Sequence, residues 1–197
     1  MNEPTTPARV AIHELAGKLR ELPASAFDRR EEIHALLAKM PVEEGSLTPY
    51  LSWDGQHYTR NLIDKTELYE LIAICWEIGQ GSAVHDHAGQ NCWMAAAVGK
   101  LVVEDFRVEY QDLEAGKCRL TASNTVELTA PHACSIDPRE PVHRVTNPRE
   151  ANQRAVSLHL YSRPYDRCVV YSPEQGTCGS VELHYNTVFG KAVASTQ

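Results

Sequence analysis

The sequence predicts a mainly β chain, a barrel or sandwich of short strands with α-helices packed against it from the N-terminal side. Two observations carry that expectation. Apolar runs of strand length follow one another from about residue 71 onward, separated by turn residues, and the stretch before them has a helical rather than a two-residue period. No repeat of 20–50 residues and no low-complexity segment competes with this architecture.

The helical part comes first. From Pro7 to about Met40 the apolar residues fall at Val10, Leu15, Leu19 and Leu22, then at Phe27, Ile33, Leu36, Leu37 and Met40. Pro23-Ala24-Ser25 splits the stretch into two helices, and Ser25 or Asp28 offers the second an N-cap. Pro41 and Gly45 end the helical pattern. Strands are then predicted over residues 71–77, 92–98, 100–108, 125–129, 156–161, 169–171 and 180–185. Turn signals at Gly79-Gln80-Gly81, Ala115-Gly116-Lys117, Asp137-Pro138 and Gly176-Thr177 separate them.

A chain of 197 residues fits one domain, read as residues 1–197 with a helical segment over about 7–40 and a β core over about 53–190. The net charge of −7, with no Lys/Arg run longer than Arg29-Arg30, argues against nucleic acid or an anionic membrane as partner. No apolar stretch is long enough to span a bilayer, and residues 1–9 lack the apolar core of a signal peptide, so the expected location is the cytosol. None of the six cysteines forms a Cys-x-x-Cys pair, which leaves zinc ribbons and thioredoxin-like redox pairs without support. In a reducing compartment these are expected to be free thiols, several of them small core residues.

His85-Asp86-His87 is the first sign of chemistry. On a strand, positions i and i+2 share a face, so two neutral imidazoles can chelate one transition-metal ion while Asp86 points away. An isolated His-x-His usually binds nothing; here its surroundings weigh the other way. Gly79, His85, His87, Cys92 and Gly99 stand at the spacing of the first cupin motif, with cysteine in place of the usual glutamate. Pro138, His143 and Asn147 resemble the second motif, with Glu140 where glycine is usual. That match makes the fold a single cupin-type β-barrel (jelly-roll) with N-terminal helices packed against it, and His143 a third ligand. Three neutral ligands leave the full charge on an M(II) ion, which favours an anionic substrate ligand such as a thiolate, and leave positions open for substrate and oxygen.

Tyr58-Thr59-Arg60-Asn61-Leu62, Cys75-Trp76, the segment 79–92, Val142-His143-Arg144 and the run 157–168 (Ser157-Leu-His159-Leu-Tyr161-Ser-Arg-Pro-Tyr-Asp-Arg-Cys168) together resemble the cysteine dioxygenases. The resemblance covers roughly residues 53–190. It implies Fe(II) on His85, His87 and His143, free L-cysteine and O2 as substrates, cysteine sulfinic acid as product, a role in cysteine catabolism and sulfinate metabolism, and a monomer.

Other matched residues have roles that make physical sense. Arg60 suits bidentate pairing with a substrate carboxylate, with Tyr58 as a second donor; composition alone would make Arg60 a solvated surface residue. Ser157, His159 and Tyr161 share a strand face and can form a relay that holds the Tyr161 hydroxyl, or simply a satisfied core network. By the same resemblance Cys92 is expected in a thioether cross-link to Tyr161, ahead of a free core thiol and of a fourth metal ligand. Cys168 is placed near the pocket mouth, with a peripheral role. Trp76, Trp93, Leu183 and Tyr185 are assigned to core or pocket wall, and His13, His34, His57, His132 and His184 to the surface or ordinary polar positions. A 3-mercaptopropionate (or other mercapto-acid) dioxygenase, a non-catalytic metal- or metabolite-binding cupin, and a zinc hydrolase or isomerase on the same barrel are the competing readings. Arg60 and Cys92 argue against the first, the Arg60 and Ser157/His159/Tyr161 set against the second, and the loss of the motif glutamate against the third.

Overall fold

The computed structural model describes residues 7–136 and 141–193. The Asp137-Pro138 turn and the Pro138 and Glu140 positions of the second motif lie outside these described residues.

The period change in the sequence is the boundary between helices and sheets. Helix α1 (Ile12–Glu21) buries Ile12, Leu15 and Leu19, and α2 (Arg30–Lys39) buries Ile33 and Leu37. Neither Ser25 nor Asp28 caps α2: Arg29 holds the N-cap position without a side-chain hydrogen bond, because residues 24–26 form a separate 3₁₀ turn. Gly45 does not end the helical region either. It lies inside a single turn, α3 (Glu44–Leu47), held by buried Leu47 and by Ser46, whose hydroxyl accepts the Ile12 N–H at 2.9 Å.

The strands are β1 (Thr59–Lys65), β2 (Tyr69–Trp76), β3 (Val84–His85), β4 (Cys92–Val98), β5 (Lys100–Asp112), β6 (Lys117–Thr129), β7 (Ala133–Ser135), β8 (Val142–Thr146), β9 (Ala155–Ser162), β10 (Arg167–Ser172), β11 (Thr177–Glu182), β12 (Thr187–Val188) and β13 (Lys191–Ala192). They form two sheets in a jelly-roll. One runs β13-β12-β1-β2-β9-β4-β7; the other, β10-β11-β6-β5-β8-β3, closes on itself. Strands β5 and β6 run well past the predicted 100–108 and 125–129, since their outer halves are exposed and lack an apolar alternation. The predicted strand at 180–185 is shifted: β11 spans 177–182, pairing with β10 from Arg167↔Glu182 to Ser172↔Thr177.

Strands β2 and β9 are buried along their whole length, and β4 almost so, because both of their faces are covered. Alternation then sorts the side chains. Leu71, Ala73 and Cys75 of β2, Trp93 and Ala95 of β4, and Val156, Leu158 and Leu160 of β9 pack with the helices. Ile72, Ile74 and Trp76, Cys92, Met94 and Ala96, and Tyr161 face a second core inside the roll. Polar Ser157 and His159 share the parity of Tyr161 and so point inward too. An apolar-outward, polar-inward strand is the reverse of a core strand, and it marks where the site is built.

Two of the first-motif glycines have backbone reasons. Gly79 sits at φ +82, and a Cβ on Gly99 (φ +74) would lie 2.7 Å from the Arg154 carbonyl oxygen. Asn147 of the second motif is structural: fully buried, it donates to the carbonyls of Trp76, Glu77 and Gln153 at 3.2, 3.2 and 2.9 Å.

Candidate metal centre

Strands β3 and β8 pair antiparallel with His85 opposite His143. His87 lies just beyond the end of β3, where Ala88 (φ 51) and Gly89 (φ 77) turn the chain. The expected alternation on one long strand is therefore replaced by a two-residue strand and a turn, and the outcome for the side chains is the same. The three imidazole rings stand edge to face, with centroids 4.7, 4.8 and 5.3 Å apart. One nitrogen from each lies within 4.8 Å of the others. The Nε2 atoms of His87 and His143 approach to 3.2 Å, close to the roughly 3 Å expected for two ligands of one ion with bonds of about 2.1 Å at right angles.

The protonation chemistry suits a cation. Burial, and then the neighbouring histidines, hold His87 and His143 well below the usual imidazole range; burial lowers His85 as well. All three are neutral at pH 7 and present lone pairs. His85 Nδ1–H donates to the Ala83 carbonyl at 2.9 Å, which fixes the tautomer that leaves Nε2 as the ligand. Among the described residues this trio is the metal-ligating cluster, and no carboxylate belongs to it. Cys92 occupies the motif's glutamate position with its thiol pushed well up by burial, so it remains protonated. Asp86 points away, as expected, and accepts the Val169 N–H at 2.8 Å.

One wall of the centre is Tyr161, whose ring lies 5.7 Å from that of His87. Behind it the predicted relay is present and longer than expected. Trp76 Nε1–H donates to Ser157 Oγ at 2.9 Å, Ser157 Oγ meets His159 Nε2 at 2.8 Å, and His159 Nδ1 meets the Tyr161 hydroxyl at 3.2 Å. Trp76 can only donate. The direction that satisfies every group has Ser157 donating to His159, and His159 donating to Tyr161, whose own O–H is then free to face the interior. Burial, then Arg60 and His85, pull His159 down to about 3, so it serves as a neutral link. Trp76, assigned to the core, is thus also the anchor of this chain.

Arg60 reaches the same interior from β1. Asn186 clamps its backbone, accepting the Arg60 N–H on Oδ1 at 2.8 Å and donating its own N–H to the Arg60 carbonyl at 2.7 Å. The guanidinium is buried, and its Nε and Nη2 have no hydrogen-bond partner. Tyr58, one residue before β1, stacks on Trp76 with centroids 4.7 Å apart. Cys168 is buried in β10, its thiol pushed up to about 11 by burial and by Asp86.

Three residues near Arg60 were not singled out from sequence as polar participants. Glu70 of β2 is fully buried. Tyr185 donates its hydroxyl to Glu70 Oε2, so it is more than the wall residue expected. Tyr165 packs edge-on against Tyr161, with ring centroids 5.1 Å apart. Glu70 was detectable in principle: it is the charged residue at the parity of Ile72, Ile74 and Trp76, on the inward face of an otherwise apolar strand.

With this geometry in hand, comparison with known proteins places the chain. The family model for cysteine dioxygenase type I matches residues 1–174. The chain belongs to the cysteine dioxygenase type I family. Its relatives include cysteine dioxygenase type 1 of Rattus norvegicus, 30% identical over 173 residues, covering 87% of this chain and 84% of the relative. The Homo sapiens cysteine dioxygenase type 1 is 28% identical over 161 residues, with 81% and 78% covered. Among solved structures, a protein with a double-stranded β-helix domain from Klebsiella pneumoniae aligns with TM-score 0.47 and 13% identity, covering 70% of this chain and 96% of that one. A cysteine dioxygenase family member with three converging histidines is consistent with a metal-binding oxidoreductase acting on small molecules. No helix of the described residues is long and apolar enough to cross a membrane.

Proposed function

We propose that this family member is a non-haem iron(II) cysteine dioxygenase that adds both atoms of O2 to the thiol of free L-cysteine, giving cysteine sulfinic acid. One observation carries the reading: the three-histidine cluster lies within the electrostatic reach of the Arg60 guanidinium, whose Nε and Nη2 have no partner. A metal site alone would not need a desolvated arginine whose donors are left open. A thiol that also bears a carboxylate would use both.

His85, His87 and His143 would hold the iron, and the chemistry such an ion supplies is to bring a thiolate and dioxygen together at one centre. Arg60 binds the substrate carboxylate through charge-assisted hydrogen bonds, and Tyr58 adds a second donor. Tyr161 faces the reacting atoms. Burial raises its phenol well above the usual range, so it stays protonated and acts as a hydrogen-bond donor, with Ser157 and His159 fixing its direction. A thioether between Cys92 and its register partner Tyr161 would stiffen that donor further. Burial of His87, His143 and Tyr161 limits the access of bulk water to the centre.

The test is product analysis: iron-loaded protein, air and L-cysteine, with oxygen uptake followed alongside sulfinic acid by mass spectrometry. One O2 consumed per sulfinate formed is the expected result. No uptake with L-cysteine or 3-mercaptopropionate at full iron occupancy would replace the enzyme with a binding cupin; a clear preference for 3-mercaptopropionate would make it a mercapto-acid dioxygenase.

A further inference from the structure

We propose that Glu70 is a specificity-determining residue that selects thiols carrying an amino group beside their carboxylate. Glu70 takes this role on the dioxygenase reading of its site, and decides which substrates that site accepts.

The placement comes from register. On β2, Glu70 stands opposite Lys65 of β1 and Tyr161 of β9. It has the parity of Ile72, Ile74 and Trp76, so its side chain enters the interior that holds Arg60, Cys92 and Tyr161. It is fully buried. Tyr185 donates to Oε2, while Oε1 has no hydrogen-bond partner. A buried carboxylate oxygen left open is costly and calls for an explanation.

The charges around it supply one. Two cations stand over the Tyr185 ring, Arg60 Cζ 5.9 Å and Lys65 Nζ 5.6 Å from its centroid, and its hydroxyl donates to Glu70. Burial raises the Glu70 carboxyl, and the Tyr185 hydroxyl, Arg60 and Lys65 work against that and favour the anion. Glu70 and Arg60 are near enough to feel one another, yet Glu70 Oε1 and Arg60 Nε and Nη2 are all unpaired. Had the two been meant only to neutralise each other, an ion pair would satisfy both. Left apart, they present one open acceptor and at least two open donors to the same space. The ligand that satisfies both offers a carboxylate to Arg60 and an N–H donor to Glu70. An amino-acid thiol has both groups. A simple mercapto-acid has only the carboxylate, and would leave Glu70 Oε1 buried and unsatisfied, which is a penalty against it.

The experiment compares wild type, Glu70→Gln and Glu70→Asp, with L-cysteine and 3-mercaptopropionate as probes. Glutamine has the same shape and still accepts from Tyr185, and a thermal midpoint close to wild type checks its fold. Two readouts are taken: kcat/KM for each thiol on the iron-loaded enzyme, and the dissociation constants of both thiols by anaerobic calorimetry. The wild type is expected to favour L-cysteine. Glu70→Gln should lower the cysteine-to-mercaptopropionate ratio about tenfold in both readouts, chiefly through KM, the size of one lost charge-assisted hydrogen bond. Glu70→Asp, which keeps the charge, should retain most of the preference. An unchanged ratio in Glu70→Gln, or an equal fall in both variants, overturns the proposal. The binding arm separates this from the function above: if no thiol is oxidised but the binding ratio shifts as stated, Glu70 selects ligands at a site that is not a dioxygenase. Turnover of L-cysteine with a Glu70-independent ratio leaves the dioxygenase and removes Glu70.

Discussion

Cys92 on β4 and Tyr161 on β9 are register partners in adjacent antiparallel strands, and both side chains face the interior core. Their backbones are fixed by the ladder, which holds thiol and phenol on neighbouring strands with the same inward orientation. Joining sulfur to the ring removes one hydrogen from each, with dioxygen as the oxidant. After aerobic turnover with iron and L-cysteine, the intact mass is expected to fall by two hydrogens, and Cys92→Ser should show no such loss. An unchanged mass after many turnovers would leave Cys92 a buried thiol.

Removing a ligand tests the centre itself. His85→Ala and His143→Ala should each weaken iron binding by about 10–100-fold or more, since disturbing even the outer partners of metal ligands costs on the order of that factor. Iron content after dialysis is the measurement. Full retention in both variants would contradict the three-histidine assignment.

Arg60→Gln should raise KM for L-cysteine about 10–100-fold with a smaller change in kcat, the equivalent of roughly 1.5–3 kcal/mol for hydrogen bonds to a charged group. An unaltered KM would place the carboxylate elsewhere.

Acid should destabilise the metal-free protein. In the unfolded chain a histidine takes up a proton near the ordinary imidazole value of 6.5, whereas native His159 does so only at about 3. Between those values the unfolded state binds the extra proton, so stability is intact above about pH 6.5 and falls as pH drops toward 3, by up to about 1.4 kcal/mol per pH unit. His87 and His143 shift in the same direction and steepen the fall. Urea midpoints measured across the range from neutral to acid should be flat above about pH 7 and decline below about 6.5, and His159→Asn should lessen the slope by about one proton.

Asn147→Ala should cost about 1–3 kcal/mol in urea unfolding, because the carbonyls of Trp76, Glu77 and Gln153 lose the donor that ties them together. Iron affinity is expected to change little beside the histidine variants.

The histidines, Arg60 and the Ser157/His159/Tyr161 face were legible because each belongs to a pattern with its own spacing. Glu70, Tyr165 and Tyr185 were not, since their importance arises from what the register places opposite them. Strand β1 escaped notice for a related reason. Most of its polar residues are buried, and Asn61 is held by distant partners: it receives hydrogen bonds from Ser52 and Thr187 and donates to the Ala73 carbonyl. Such polarity reads as loop until the neighbours are known. The same holds for β6, whose exposed half lacks the apolar alternation that marks a half-buried strand.

The N-terminal helices and the histidine-tyrosine interior are separated by one layer of backbone. Leu158 and Leu160 touch the helical side while Ser157, His159 and Tyr161 alternate with them on the other. Anyone borrowing this barrel as a scaffold would have to take α1 and α2 along with it: trimming them would bare an apolar slab to solvent and loosen the strand from which Tyr161 is aimed. A substitution such as Leu15→Ala, which touches no site residue, should therefore register in turnover as well as in melting temperature.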